Sequence, residues 1–232
     1  KSLPKNTGTV IVKHANPCGV SINKDKVKSY KLALKCDPVS AFGGIVSCNF
    51  KINKKLAIEL NKIFLEVVIG NEIDRGALKI LKRKKNLRII ESKDLKFEDV
   101  QNVISNFNSF LIQSIDNKIF SKKDFRIVSK IKPDRKTFDN LLFAFNVCRF
   151  VKSNAIVLVN KGSTVGIGSG QPSRLDSCKI AINKMKQFQN FENDNKIIAA
   201  SDAFFPFIDG IETLIHAGVS AVIKPSGPIR DK

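Results

Sequence analysis

The strongest constraint in this chain is the alternation of short, β-branched apolar runs with longer segments whose apolar residues recur at helical spacing. "TVIVKH", ending at His14, reads as a strand, and "KDKVKSYKLALKC" reads as an amphipathic helix. "GGIVSCNF" is a second strand, followed by the helix "NKKLAIELNKIF" with Asn53 as its N-cap. "LEVVIG" is a third strand, "EIDRGALKILKRKK" its following helix, and "LRII" a short fourth strand. Between residues 92 and 131 the pattern weakens, with "FNSFLIQSID" and "FRIVSKI" reading as strands between polar turns. Pro133 before Asp134 then marks a helix start, opening "TFDNLLFAFNVCRFVKS", which reads as the longest amphipathic helix. "NAIVLVNKGSTVGIG" follows as a hairpin with a Lys-Gly turn, and "SRLDSCKIAINKMKQF" as a helix. "KIIAASDAFFP" is a strand, "IDGIETLIHAG" a helix closed by Gly218, and "VSAVIKP" a last strand. Alternation at this pace predicts a layered α/β fold with strands sandwiched between helices. A boundary near residue 131 divides it into two lobes, 1–131 and 132–232.

Composition narrows the class. The 232 residues are enough to bury a sizeable core, and a start at Lys-Ser rather than Met reads as a fragment. No apolar run reaches the roughly 18 residues needed to span a membrane, and no hydrophobic leader is visible, so a soluble cytoplasmic protein is expected. The net charge of +19 calls for an anionic partner. Lysines are scattered, and a general Lys, Asn and Ile bias accounts for them without any nucleic-acid recognition motif. A small substrate with phosphate or carboxylate groups suits the charge; a non-catalytic basic α/β module binding nucleic acid is the alternative. The five cysteines are odd in number and form no C-x-x-C, which favours reduced thiols over a zinc site or redox pair.

Four stretches can carry chemistry. In "TVIVKHANPCGV", Lys13 and His14 sit where a buried strand meets Pro17, which is expected to end the ladder and free the pair at a strand end. An imidazole can accept a proton at neutral pH, and an ammonium can donate one or hold developing negative charge. A strand-terminal histidine bonded to a carbonyl, beside a solvent-facing lysine, would look the same. In "DPVSAFGGIV", Gly43 and Gly44 let the backbone approach a ligand, and Phe42 offers a stacking face; a tight turn with a core phenylalanine is the plainer reading. "VGIGSGQPSR" runs from a strand into a helix start where free N–H groups and Arg174 suit an anion, or simply form a glycine-rich cap. "SDAFFPFIDG" sets three phenylalanines between Asp202 and Asp209, an aromatic wall for a flat heterocycle or an ordinary core cluster. His216, in the last turn before Gly218, complements a helix dipole and reads as structural.

Together with "FLEVVIG", "SNAIVLV" and "PSGPIRD", these strings resemble, in order and over residues 13 to 231, the AICAR formyltransferase region of the bifunctional purine biosynthesis family. The resemblance implies two cytidine-deaminase-like lobes without the deaminase zinc site; the chain reads His14-Ala15-Asn16 where zinc ligation would need H-x-E. It implies formyl transfer from 10-formyltetrahydrofolate to the 5-amino group of AICAR. His14 would be the proton acceptor, Lys13 the transition-state stabiliser, and Asn154 a residue at the reacting centre. Nucleotide contacts would fall to Gly43, Glu66, Asn154, Arg174 and Phe204, and folate contacts to Leu175, Asp209, Pro228 and Ile229. Pro228 departs from the commoner serine and removes a hydroxyl and an N–H. The family's R-Y-G-x-N-P-H-Q and R-x-F-x-H segments, which supply nucleotide-binding arginines, would lie before residue 1 and after residue 232, so weak or absent activity is expected of this chain alone. The resemblance further implies a homodimer with sites near the subunit interface and an IMP cyclohydrolase domain in the full-length protein, and leaves open a monovalent cation.

Overall fold

The computed structural model describes residues 3–93, 101–116, 118–190 and 196–227. The first half opens with a hairpin, β1 (Gly8–Lys13) and β2 (Asn16–Ile22), and continues through α1 (Lys26–Cys36), β3 (Gly44–Ile52), α2 (Lys54–Leu60), β4 (Leu65–Ile73), α3 (Arg75–Leu81) and β5 (Arg88–Glu91). A separate antiparallel ribbon follows, β6 (Gln101–Asn106) and β7 (Ser109–Ser114), then a single 3-10 turn at Lys122–Asp124. The second half comprises α4 (Arg135–Cys148), the hairpin β8 (Ile156–Asn160) and β9 (Ser163–Gly168), α5 (Arg174–Phe188), β10 (Ile197–Ser201), α6 (Asp209–His216) and β11 (Val219–Ile223).

Nine strands form one mixed sheet in the order β11-β10-β8-β9-β2-β1-β3-β4-β5. The layout repeats. In each half a hairpin is followed by a helix, a strand antiparallel to the hairpin's first strand, a helix, and a parallel strand. This repeat is one of topology and leaves no visible trace in sequence. Alternate residues of each strand face opposite layers. Ile156 and Leu158 pack with Cys178, Ala181 and Leu214 of α5 and α6, whereas Val157 and Val159 pack with Leu141, Ala144 and Val147 of α4. In the first half Val46, Phe50 and Ile52 of β3 meet Tyr30, Leu56 and Leu81 of α1, α2 and α3. Helices thus cover both faces of the second half, as the pattern predicted. The opposite face of the first half leaves Ile45 and Ile90 exposed and Val12, Val67 and Ile69 partly so.

Three expectations need correction. Pro17 does not end the ladder: the chain reverses through His14 and Ala15 and pairs again as β2, with Lys13 opposite Asn16 and Val12 opposite Pro17. A register shift between Ile11 and Val12 leaves Cys18 as the extra residue, which accommodates the missing proline N–H. "FRIVSKI" is not a strand; Phe125 instead packs edge-on against Phe145 of α4, so its apolar residues serve a loop contact. Finally, α5, with 15 residues, exceeds α4 with 14, because "RFVKS" lies beyond the last turn of α4.

The two halves meet at the β2–β9 seam, where only Ser21 and Ser163 are ladder partners. Beyond that pair Ile22 N donates to Gly162 O at 2.9 Å, and on the other side the Thr164 hydroxyl stands in for backbone pairing. Its Oγ1 accepts from Val20 N at 2.9 Å and donates to Val20 O at 3.2 Å, and the residue is fully buried. Replacing Thr164 by the isosteric valine strands both Val20 groups. Thr164→Val is expected to cost roughly 2–4 kcal/mol, at about 1–3 kcal/mol for each unsatisfied buried group, measured by urea unfolding; a loss below about 0.5 kcal/mol would contradict this account of the seam.

Candidate functional site

Strand direction alone gathers the candidate residues at one edge of the sheet. β1 ends there at Lys13, β3 and β4 begin there at Gly44 and Leu65, β9 ends opposite the start of β8, and β10 ends at Ser201 opposite Ile156. Lys13, His14, Gly43, Glu66, Asn154, Arg174, Leu175, Phe204 and Asp209 all belong to this edge or the loops leaving it. Pro228 and Ile229 lie outside the described residues.

The turn that carries His14 is unusual. His14 and Ala15 have φ of 51° and 60°, the sign a two-residue primed turn needs at both positions. Neither is Gly or Asn, and left-handed backbone costs an ordinary residue roughly 1–2 kcal/mol. The equivalent hairpin of the second half uses Lys161-Gly162, with glycine in the second place. Strain of this kind collects where a side chain must be held in a particular direction. Here it leaves His14 exposed, facing an open cleft of about 340 Å³ shared with Lys13, Asn16, Cys18, Asp37, Ser40, Ser169 and Lys184.

Lys13 is only partly exposed, and its ammonium donates to the Phe42 carbonyl at 2.7 Å. Gly43 follows at φ 70°, a value that favours glycine, and its N–H donates to Phe64 O at 2.9 Å. Phe42 does not enter the core: it is 60% exposed and meets the Phe64 ring at 5.3 Å. Glu66 lies one residue into β4 at the same edge, exposed and facing solvent. Cys18 is buried below the cleft. Burial first, then the nearby Asp37 carboxylate, pushes its thiol up to about 11, so it is a poor nucleophile at neutral pH.

A second cluster forms around Arg174, whose side chain is 10% exposed. Its guanidinium donates to Asp202 Oδ1 at 2.5 Å, Ser201 Oγ at 2.7 Å and Asn154 Oδ1 at 2.6 Å. Asn154 is held in turn through Nδ2 by the carbonyls of Gln171 and Pro172, at 2.8 and 2.9 Å. Its own carbonyl accepts from Ser177 Oγ at 2.8 Å. Asp202 also accepts from Ala155 N and from the Ser153 hydroxyl. Burial opposes its ionisation, but the donors, Arg174 foremost, outweigh it and hold the carboxyl below the usual range. The guanidinium is therefore largely spoken for, and its partner is Asp202 rather than Asp209. Asp209 starts α6, exposed, with Oδ1 accepting from Gly210 N.

The phenylalanines do not form one wall. Phe205 is core, with the Arg174 guanidinium 5.9 Å from its ring centre; Phe204 is half-buried, with Gly227 of the last loop against it; Phe207 is 65% exposed. Leu175 is half-buried in the first turn of α5, and His216 is exposed at the end of α6.

The two clusters share an edge, and Asn16 Oδ1, accepting from Lys152 N at 3.0 Å, ties the first to the loop before the second. Among the described residues no hydrogen bond or ion pair joins His14 to Asn154 or Arg174. Helix starts complete the picture. α1, α2, α3 and α4 are capped by the side chains of Asp25, Asn53, Asp74 and Asp134. α5 and α6, which start at the site edge, have no side-chain bond from their N-cap residues Ser173 and Ile208; at α6 the Asp209 carboxylate takes the Gly210 N–H, whereas the start of α5 leaves N–H groups for an anion. Among the described residues no three His, Cys, Asp or Glu side chains group in a metal-binding arrangement, and no helix is long and apolar enough to cross a membrane.

A model of the AICARFT/IMPCHase bienzyme family matches residues 2–184. The chain belongs to the AICARFT/IMPCHase bienzyme family. Among its relatives, the bifunctional purine biosynthesis protein PurH of Aquifex aeolicus is 43% identical over 230 residues, covering 99% of this chain and 44% of that protein. The PurH proteins of Buchnera aphidicola and Rhodospirillum rubrum are each 44% identical, covering 96% and 95% of this chain and 43% of their own length. The chain thus spans less than half of the relatives it matches. It corresponds to the AICAR formyltransferase region of the family, whose "KHANPCG", "DPVSAFGG" and "GIGSGQPSR" strings occupy the site edge.

Sequence reading missed Asp37, Lys184 and Asn16 as site residues. Asp37 stood inside a quoted motif, but Lys184 lies mid-helix with no local signal. The Arg174–Asp202 pair gives a pH test. A carboxyl depressed on folding stabilises above the unfolded value, near pH 4, and that contribution is lost as pH falls through the lower folded value. Asp202→Asn should therefore lower the thermal midpoint most at neutral pH, the gap from the parent closing as pH falls below the ordinary carboxylate range; a gap that stays constant would show the carboxylate charge is not involved.

Proposed function

We propose that this region performs AICAR formyl transfer, moving the formyl group of 10-formyltetrahydrofolate to the 5-amino group of AICAR in purine synthesis. The observation that carries the reading is the strained turn presenting His14 to an open cleft, with the Lys13 ammonium at its side. The nucleophile is a poor one, because its lone pair is delocalised into the imidazole carboxamide. Attack on the formyl carbon forms the new C–N bond, and His14 accepts the amine proton as it does so. The Lys13 ammonium offsets negative charge growing on the formyl oxygen. Collapse breaks the bond to N10 of the folate, and the proton held by His14, or one from Lys13, passes to that nitrogen. Proton count is conserved from amine to tetrahydrofolate.

The rest of the edge supplies binding. Arg174 and Asn154, fixed by Asp202 and by the Gln171 and Pro172 carbonyls, would present a polar, preset surface to the nucleotide with Gly43, Glu66 and Phe204. Leu175, Asp209, Pro228 and Ile229 would meet the folate. The uncapped start of α5, within a chain of net charge +19, suits anionic substrates. We read the repeated halves, 1–131 and 132–232, as cytidine-deaminase-like lobes, the topological repeat being the support. In the full-length protein His14→Ala is expected to lower kcat by about 100- to 10,000-fold while AICAR affinity changes little. A variant that keeps most of its turnover would remove His14 as the base.

A second copy of the chain is the partner we propose. The β6–β7 ribbon, Gln101 to Ser114, has every strand residue exposed, including Val103, Ile104, Phe110, Leu111 and Ile112 at 57–70%, and it carries no charged residue in a chain where 26% are charged. A lone two-stranded ribbon is marginal in water, and copies carrying like charge can meet most readily through an uncharged surface. Phe110→Asp with Ile112→Asp should convert a dimer to monomer in sedimentation velocity; unchanged mass would exclude the ribbon from the interface.

A further inference from the structure

We infer that Asp37 and Lys184 form a positioning pair that sets the Lys13 ammonium beside His14, an inference that rests on reading Lys13 and His14 as the reacting centre. A continuous chain of contacts leads from one to the other. Lys184, on α5 of the second half, donates to Asp37 Oδ2 at the C-terminal end of α1 in the first half. Asp37 Oδ1 accepts from Ser40 N at 2.9 Å, fixing the start of the loop that runs to Gly43. The far end of that loop carries the Phe42 carbonyl, which takes the Lys13 ammonium.

The far end of the loop is held by Gly43 N donating to Phe64 O at 2.9 Å, Gly44 N donating to Ala41 O at 3.0 Å, the buried Ala41 and the Phe42–Phe64 ring contact. Between that end and α1 the turns are Ala41 N to Asp37 O and Phe42 N to Val39 O, at 3.2 and 3.3 Å, and Pro38, Val39 and Phe42 are exposed. Asp37, at 3% exposure, supplies the side-chain bond at the start of the loop. Burial works against its charge, while Lys184 and Ser40 more than compensate and keep it ionised. A buried carboxylate held by a cation from the other half is a costly way to secure a surface loop. It is an effective way to fix where that loop's carbonyl points, and a displacement near 1 Å at a reacting centre costs about 100-fold in rate. Asp37 and Lys184 line the cleft that Lys13 and His14 share, so the pair also neutralises one of its two lysines.

The test uses the full-length protein, assaying formyl transfer by Asp37→Asn, Lys184→Met, the double variant and Lys184→Arg, with His14→Ala and Lys13→Ala in parallel. The expected result is a fall in kcat of about 10- to 100-fold for each single variant, with KM for AICAR within about threefold. The double variant, which leaves no unpaired carboxylate, should lose no more than either single, because the pair acts as a unit. Lys184→Arg should recover most of the rate. Peptide-mapped labelling of Lys13 by an amine-selective reagent should quicken in the double variant, a readout independent of turnover. Unchanged kcat and unchanged Lys13 labelling in a folded double variant would overturn the pair while leaving the centre standing. Full turnover in His14→Ala and Lys13→Ala would instead overturn the reading of the centre itself.

Discussion

The arrangement depends on one threonine hydroxyl. Where β2 meets β9 the two halves share a single ladder position, and Thr164 Oγ1 takes over the pairing of Val20 N and O that a regular strand neighbour would provide. A full ladder would fix the seam at many points; this one fixes it at Val20, Ser21 and Ile22, the last donating to Gly162 O. The consequence reaches the site edge, because the relation of the His14 turn to the Arg174 cluster is set across this seam. The Asn16–Lys152 bond and the Asp37–Lys184 and Gln189–Lys35 contacts then pin the halves on either side of it.

Much of the fold was legible because its helices announce themselves. Asn53 caps α2 through its side chain as the spacing predicted, Pro133 and Asp134 open α4, and Gly218 closes α6 at φ 87°. The Lys161-Gly162 turn was readable for the same reason: glycine supplies the positive φ that a short hairpin needs. The first hairpin was not, because His14 and Ala15 occupy that conformation without a turn residue. Local propensity argued against reversal there, and tertiary pairing of β2 overrode it. Local rules fail most informatively where something other than stability selects the residue.

The site shows the same division. Residues in contiguous strings, Lys13 with His14 or Gly43 after Phe42, were legible as neighbours because adjacency in sequence gives adjacency in space. Arg174 was singled out, but not its condition: three partners, Asn154, Ser201 and Asp202, occupy a guanidinium that sequence alone presents as free. Lys184 lay beyond reach, since its pairing with Asp37 depends on α5 lying beside α1, a contact between residues 147 positions apart. Pairs of that kind become visible only when the two halves are assembled.

Electrostatics separates the two edges of the sheet. At the edge away from the cleft, the acidic and amide caps Asp25, Asn53, Asp74 and Asp134 consume the helix-start donors of α1 to α4. At the cleft edge α5 starts without such a cap, and the chain forgoes about 1 kcal/mol that one would contribute, while at α6 Asp209 takes the Gly210 N–H. The turn at His14 adds a comparable cost at the same edge. Stability is spent where donors and an imidazole are left pointing at solvent, and conserved elsewhere. In a chain this basic those exposed groups are not needed for solubility, and on the reading proposed above they are where a ligand's negative charge and acceptors would be met.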